Sequence, residues 1–176
     1  MDPANLFSTK WTYYALRAEW FGLMSASIAV FAINVPHHHI DWVAFVLLFA
    51  YPDTLGYLPG AIAYRRSKDK RVSLWYARTY NVMHSGLTAA AVGGIYVAFH
   101  GPNWALMAIP IHLFGDRSVF GNIMKMLHVR FEPHEPHPVY ARVKDELYRP
   151  WWEFEGATEP ATNGRAAKAS ETVAAR

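Results

Sequence analysis

His112 and Asp116 stand four positions apart inside the apolar stretch 107–125, MAIPIHLFGDRSVFGNIMK, with Arg117 directly after them. On a helix that spacing stacks imidazole and carboxylate on one face, a pairing suited to proton transfer or to metal ligation. Related residues interrupt three other apolar stretches: Glu19 in 11–34, Asp53 in 42–64, and Asn81 with His84 in 75–99. A charge near the centre of a bilayer costs about 2.5–3.5 kcal/mol, so such side chains usually face a bundle interior and serve a function there.

The stretches that carry them are long enough to cross a membrane. As a helix, residues 11–34 cover roughly 36 Å against about 30 Å of hydrocarbon, and Trp11, Tyr13 and Tyr14 supply an aromatic belt at their start. Counted along each helix at about 1.5 Å per residue, Asp53, His84, His112 and Asp116 reach similar depths, with Glu19 and Asn81 beside them. Asp53, His84, His112 and Asp116 are therefore the candidate catalytic residues, and Glu19, Tyr57, Asn81 and Arg117 the supporting ones. Glu19 shares a helix face with Ala15, Gly22 and Ala26, small residues that predict close packing into the bundle. In the second span Pro52, Gly56, Pro59 and Gly60 surround Asp53 and Tyr57. They predict a break at Pro52 with a polar notch beside Asp53.

Composition supports this division. The 176 residues are 52% hydrophobic, with a formal charge of +3. Their mean hydropathy near zero averages an apolar region, 11–127, with one basic loop and a polar tail. With no cysteine, disulfides, thiolate metal sites and covalent c-type haem attachment are excluded. The loop 64–74, YRRSKDKRVSL, holds five Lys and Arg, whereas the loops 35–41 and 100–103 hold none. The positive-inside rule then puts the basic loop and both termini in the cytoplasm, with anionic lipid rather than nucleic acid as the loop's partner. The start of the chain, MDPANLFSTK, carries no pattern of a cleaved leader.

The expected architecture is all-α. It comprises an N-terminal segment (1–10), a four-helix transmembrane bundle (11–130), a cytoplasmic spacer with a docked aromatic segment (131–155), and a disordered tail (156–176). Within the spacer, 139–148 reads as a short helix, and Trp151, Trp152 and Phe154 read as an interfacial anchor. The histidines 37–39 read as a solvated turn with transition-metal capture as the alternative, and His134, Glu135 and His137 lie among prolines that favour an extended spacer.

Several chemistries suit the cluster. His84, His112, Asp53, Asp116 and Glu19 offer ligands for a non-haem iron or similar metal. His84 and His112 could instead be axial ligands of a haem. Without any cofactor, a protonated Asp53 or Glu19 and a histidine base could act on a lipophilic small molecule. The structural alternative is a knot in which Arg17, Arg78 and Arg117 neutralise Glu19, Asp53 and Asp116 while Tyr57, Tyr80 and Asn81 hold the histidines. Two functions follow: a small membrane enzyme, or a non-catalytic subunit that contacts other membrane subunits.

The series Pro52-Asp53, Gly56-Tyr57, Gly60-Ala61, Tyr80-Asn81 with His84, then His112 with Asp116-Arg117 and Gly121 resembles an uncharacterised family of small four-helix bacterial membrane proteins, a domain of unknown function. The resemblance covers roughly residues 15–125. It departs from the family at the basic loop and after Lys125. It implies a four-span fold in a bacterial inner membrane and this choice of polar residues, and no reaction.

Overall fold

The computed structural model describes residues 10–125, 127, 130–132 and 138–147. Every regular element among them is helical. The chain divides into two units, 1–138 and 139–176. In the first, α1 (Lys10–Asn34) is one unbroken helix of 25 residues. A 3-10 turn, Val35–His37, leads to α2 (Trp42–Pro52), capped where the Asp41 carboxylate accepts from the Ala44 N–H at 2.9 Å. Asp53–Tyr57 forms a π turn that runs straight into α3 (Leu58–Arg66). Past the basic loop, α4 (Leu74–Met83) starts on Ser73 and α5 (Gly86–His100) on Ser85, whose hydroxyl accepts from the Thr88 N–H at 3.1 Å. The last apolar element is composite: a 3-10 turn (Trp104–Met107), α6 (Ala108–Gly115) and a second π turn (Asp116–Phe120). The described residues of the second unit, 139–147, belong to α7, Pro138–Leu147, close to the short helix predicted over 139–148.

Two helical stretches are long and apolar enough to cross a membrane, Lys10–His37 and Trp42–Arg66, and α4 with α5 makes a third if that bent pair is one span. The second span is not broken at Pro52. Pro52 has no N–H to offer the Leu48 carbonyl, yet the stretch continues through it, and directly afterwards the helix widens: the Leu58 N–H reaches back five residues to the Asp53 carbonyl. The break falls in the third stretch instead, where α4 and α5 meet at 54° across His84 and Ser85. The composite element holds pieces of 4, 8 and 5 residues. At about 1.5 Å per residue it falls short of about 30 Å of hydrocarbon.

Two apolar clusters bracket the polar residues. Towards the histidine loop, Leu48, Ala89, Ala108, Ile109 and Leu113 pack together with Phe45 and Tyr51. Towards the basic loop, Ala61, Tyr64, Ala77, Tyr80 and Phe131 do so with Tyr57. Phe131, 4% exposed, belongs to this second core and not to a spacer. The chain after Gly121 returns under the helices to place it there: Asn81 donates to the Lys125 carbonyl at 2.8 Å and accepts from its N–H at 2.7 Å. The Tyr57 hydroxyl donates to Glu132 at 2.6 Å. Gly121 adopts φ +72° at this return, a conformation that suits glycine, with the Tyr13 hydroxyl packed against it.

Candidate metal centre

Between the two clusters, His84, His112, Asp53 and Asp116 converge. Each offers one ligand atom, and the four atoms lie within 4.8 Å of one another. The elements account for the convergence. Asp53 and Asp116 are the first residues of the two π turns, His84 stands at the kink between α4 and α5, and His112 lies in the last turns of α6. Gly56 permits the approach of α4, for a Cβ there would stand 2.9 Å from Met83 Cβ and 3.2 Å from His84 Nδ1.

His84 Nε2 lies 3.1 Å from Asp116 Oδ2 and 3.4 Å from Asp53 Oδ1; His112 Nε2 lies 3.8 and 3.9 Å from Asp116 Oδ2 and Asp53 Oδ2. Despite these distances, His84 Nε2, His112 Nε2 and Asp116 Oδ2 are buried with no hydrogen-bond partner: the groups are close without being aligned. A buried polar atom left in this way costs about 1–3 kcal/mol. Ligand atoms held at about 2.0–2.2 Å from one ion stand roughly 3.0–4.4 Å apart; the four His–Asp distances of 3.1–3.9 Å fall in that range, and the full set, spread over up to 4.8 Å, would draw in slightly around an ion. His84 is also set in its tautomer. A carbonyl only accepts, so Nδ1, 3.0 Å from the Tyr80 carbonyl, carries the proton and donates it. In the neutral ring Nε2 then keeps its lone pair on the side of the carboxylates, and the Nδ1–H bond to a carbonyl is the usual outer support of a metal-bound imidazole. Tyr80 stacks on the same ring at 3.9 Å between centroids, and Phe49 meets His112 edge to face at 4.9 Å.

The supporting residues are placed differently from the expectation. Glu19 is exposed, as are Ala15, Gly22 and Ala26, so that face turns away from the bundle and Glu19 is no candidate ligand. Arg117 braces no carboxylate: it donates to the His84 carbonyl at 3.4 Å and lies over the Trp20 ring at 4.5 Å. Arg17 caps the second π turn, donating to the Ser118 and Val119 carbonyls, each at 2.6 Å. Arg78 is exposed. Asn81 and Tyr57 are spent on Lys125 and Glu132, not on the histidines. The alternative knot of arginines and carboxylates is thus absent among the described residues. Haem ligation by His84 and His112 does not fit either, because Asp116 Oδ2 stands 3.1 and 3.8 Å from their two Nε2 atoms, where an iron and its porphyrin would need room.

The exposed histidines 37–39 form no metal-ligating group among the described residues. His134, Glu135, His137, Trp151, Trp152, Phe154 and the tail 156–176 lie outside the described residues. Sequence reading missed the kink at His84 and both π turns. Ser85 three residues before Thr88, with Gly86 between, is the helix-start signal that marks the kink.

Fold and site together define an all-helical protein with apolar helices able to cross a membrane and a buried His/Asp cluster able to hold a metal ion. Compared with protein families, curated proteins and solved structures, the chain finds no match.

Proposed function

We propose that the chain is a four-span membrane protein that holds one divalent first-row transition ion between His84, His112, Asp116 and Asp53, and that this centre belongs to a small membrane enzyme. The carrying observation is the trio of buried, unpartnered atoms, His84 Nε2, His112 Nε2 and Asp116 Oδ2, grouped with an Asp53 oxygen. The charge balance supports it. Two carboxylates with neutral imidazoles carry −2, no arginine pairs with either carboxylate among the described residues, and a divalent cation neutralises the set. A proton on His84 Nε2, 3.1 Å from Asp116 Oδ2, would neutralise part of this charge, whereas His112 Nε2, at 3.8 and 3.9 Å, is beyond hydrogen-bond reach of either carboxylate. Two nitrogens and two carboxylate oxygens without thiolate suit zinc, iron or manganese.

When bound, such an ion supplies a Lewis acid to a carbonyl or phosphoryl oxygen. Asp53 marks the entrance. Its side chain is 44% exposed, and Phe49 and Leu55 beside it in the chain are exposed too, so a lipophilic substrate meets the centre from this side. Asp53 then orients the substrate or moves a proton, while His84, His112 and Asp116 stay buried. The resemblance to four-helix bacterial membrane proteins supports four spans, and the basic loop supports cytoplasmic termini in an inner membrane. A second reading, a non-catalytic subunit, is favoured by Glu19: an exposed carboxylate within α1, on a face with Ala15, Gly22 and Ala26, suits cover by another membrane protein.

Elemental analysis of protein purified without chelator tests the centre. About one equivalent of zinc, iron or manganese is expected, falling below about a tenth in His112→Ala and Asp116→Asn, where a buried ligand is lost. Wild-type protein that holds no metal, and takes up none on titration with the three ions, overturns the reading. Asp53→Asn separates enzyme from subunit: a variant that keeps fold and metal but loses the cellular phenotype of the gene supports the enzyme, and full complementation supports the subunit.

A further inference from the structure

A second cavity, distinct from the metal centre, opens beside the basic loop and measures about 500 Å³. Its lining combines the basic Lys70, Arg71 and Arg130 with the apolar Leu74, Leu127 and Phe131. The first turn of α4, capped by Ser73, forms part of the wall, so the positive end of a ten-residue helix adds to the basic lining. Asp69 also lines the cavity, but its carboxylate is occupied by the Ser67 hydroxyl at 2.7 Å and the Arg71 N–H at 3.2 Å. The Arg71 guanidinium is only loosely held, 3.8 Å from Asp69 and 89% exposed. The lining therefore holds three basic residues, of which Lys70 also donates to the Arg65 carbonyl, against one carboxylate that is already engaged.

We propose that this cavity binds the phosphate head group of an anionic phospholipid. The basic lining matches a phosphodiester. The apolar lining matches the start of an acyl chain, and Leu74 and Leu127 of that lining stand exposed, as does Trp75 next to Leu74 in the chain, as residues do that meet lipid at an interface. A free phosphate would leave that apolar lining without a partner, so the lipid is the assigned ligand. Lys70 adds an observation of its own. It holds φ +57°, a left-handed conformation that a side chain rarely adopts. In that position its ammonium reaches the Arg65 carbonyl at 3.3 Å, so the strained residue keeps a charge where glycine would relieve the backbone.

Native mass spectrometry of the full-length protein in mild detergent, titrated with phosphatidylglycerol or phosphatidylcholine of equal chain length, tests the site. Wild type should bind the first phosphatidylglycerol about tenfold more tightly than phosphatidylcholine or better. Each charge removed should weaken phosphatidylglycerol about fivefold, the equivalent of about 1 kcal/mol per basic residue near an anionic membrane, so Arg71→Gln with Arg130→Gln loses about 25-fold and leaves phosphatidylcholine unchanged. Lys70→Gly separates binding from folding, because it relaxes the backbone: it should melt no lower than wild type and still bind phosphatidylglycerol about fivefold more weakly. Equal affinity for the two lipids, or unchanged binding in the double variant, overturns the proposal. So does full displacement of phosphatidylglycerol by millimolar inorganic phosphate, which reassigns the cavity to a soluble anion.

Discussion

Gly56→Ala tests whether the first π turn positions His84. The added Cβ would stand 2.9 Å from Met83 Cβ and 3.2 and 3.3 Å from Nδ1 and Cε1 of His84. Unstrained carbon contacts begin near 3.5–4.0 Å, so α4 must retreat by roughly 0.6–1 Å. Met83 Cβ is fixed to the helix backbone and cannot swing aside, and overpacking of this kind costs about 1–3 kcal/mol. The displaced ring also loses its alignment on the Tyr80 carbonyl, the sort of outer-support damage that lowers metal affinity about 10–100-fold. Chelator competition for the metal and thermal melting in detergent read the two effects side by side. Gly22→Ala is the matched control, since nothing lies within 4 Å of a Cβ there. Wild-type affinity and melting temperature in Gly56→Ala would show that α4 does not rest on the π turn, and the account of how the centre is assembled would fall with it.

Tyr80→Phe should leave stability unchanged or raise it by up to about 1 kcal/mol, because the Tyr80 hydroxyl is buried without a partner while the ring stacks on His84; a lower melting temperature contradicts this. Asn81→Ala removes both hydrogen bonds to the Lys125 backbone. It should destabilise the protein by about 1–3 kcal/mol and open the 121–132 return to limited proteolysis, and equal protection in wild type and variant would speak against the clamp. Reporter fusions at Asn34 and His100 should both read as external, on the positive-inside rule; a cytoplasmic reading at either site removes the four-span topology.

Depth was legible in the sequence and direction was not. Counting residues along a helix gives a height, and on that basis Asp53, His84, His112 and Asp116 could be grouped before any fold was known. Counting cannot say which way a residue at that height turns. Glu19 lies at a comparable height but faces outward, because small residues permit a neighbour on either side. Asn81 is one turn from His84, yet it turns towards Lys125, a pairing across 44 positions that no local pattern announces. Arg117 looked like the partner of Asp116 by adjacency, and the Trp20 face with the His84 carbonyl claimed it instead. Pro52 and Gly56 gave a true signal of irregular backbone. Propensity could not distinguish a broken helix from one that runs on through Pro52 and widens after it.

The two π turns give the centre a property that its ligands alone do not have. A π turn carries one residue more than the α turn it replaces, so it works like a single extra tooth on a ratchet. Taking one residue out between Asp53 and Tyr57, or between Asp116 and Phe120, would let the helix close to regular winding. The helix on either side would keep nearly its present orientation, because the extra residue is taken up within the turn, and the change would fall on the residues of the turn itself, Asp53 or Asp116 among them. The helix would survive, and its lipid-facing length would hardly change, but the carboxylate would point elsewhere. A lineage could gain or lose this centre by inserting or deleting a single codon, with no substitution at any of the four ligands.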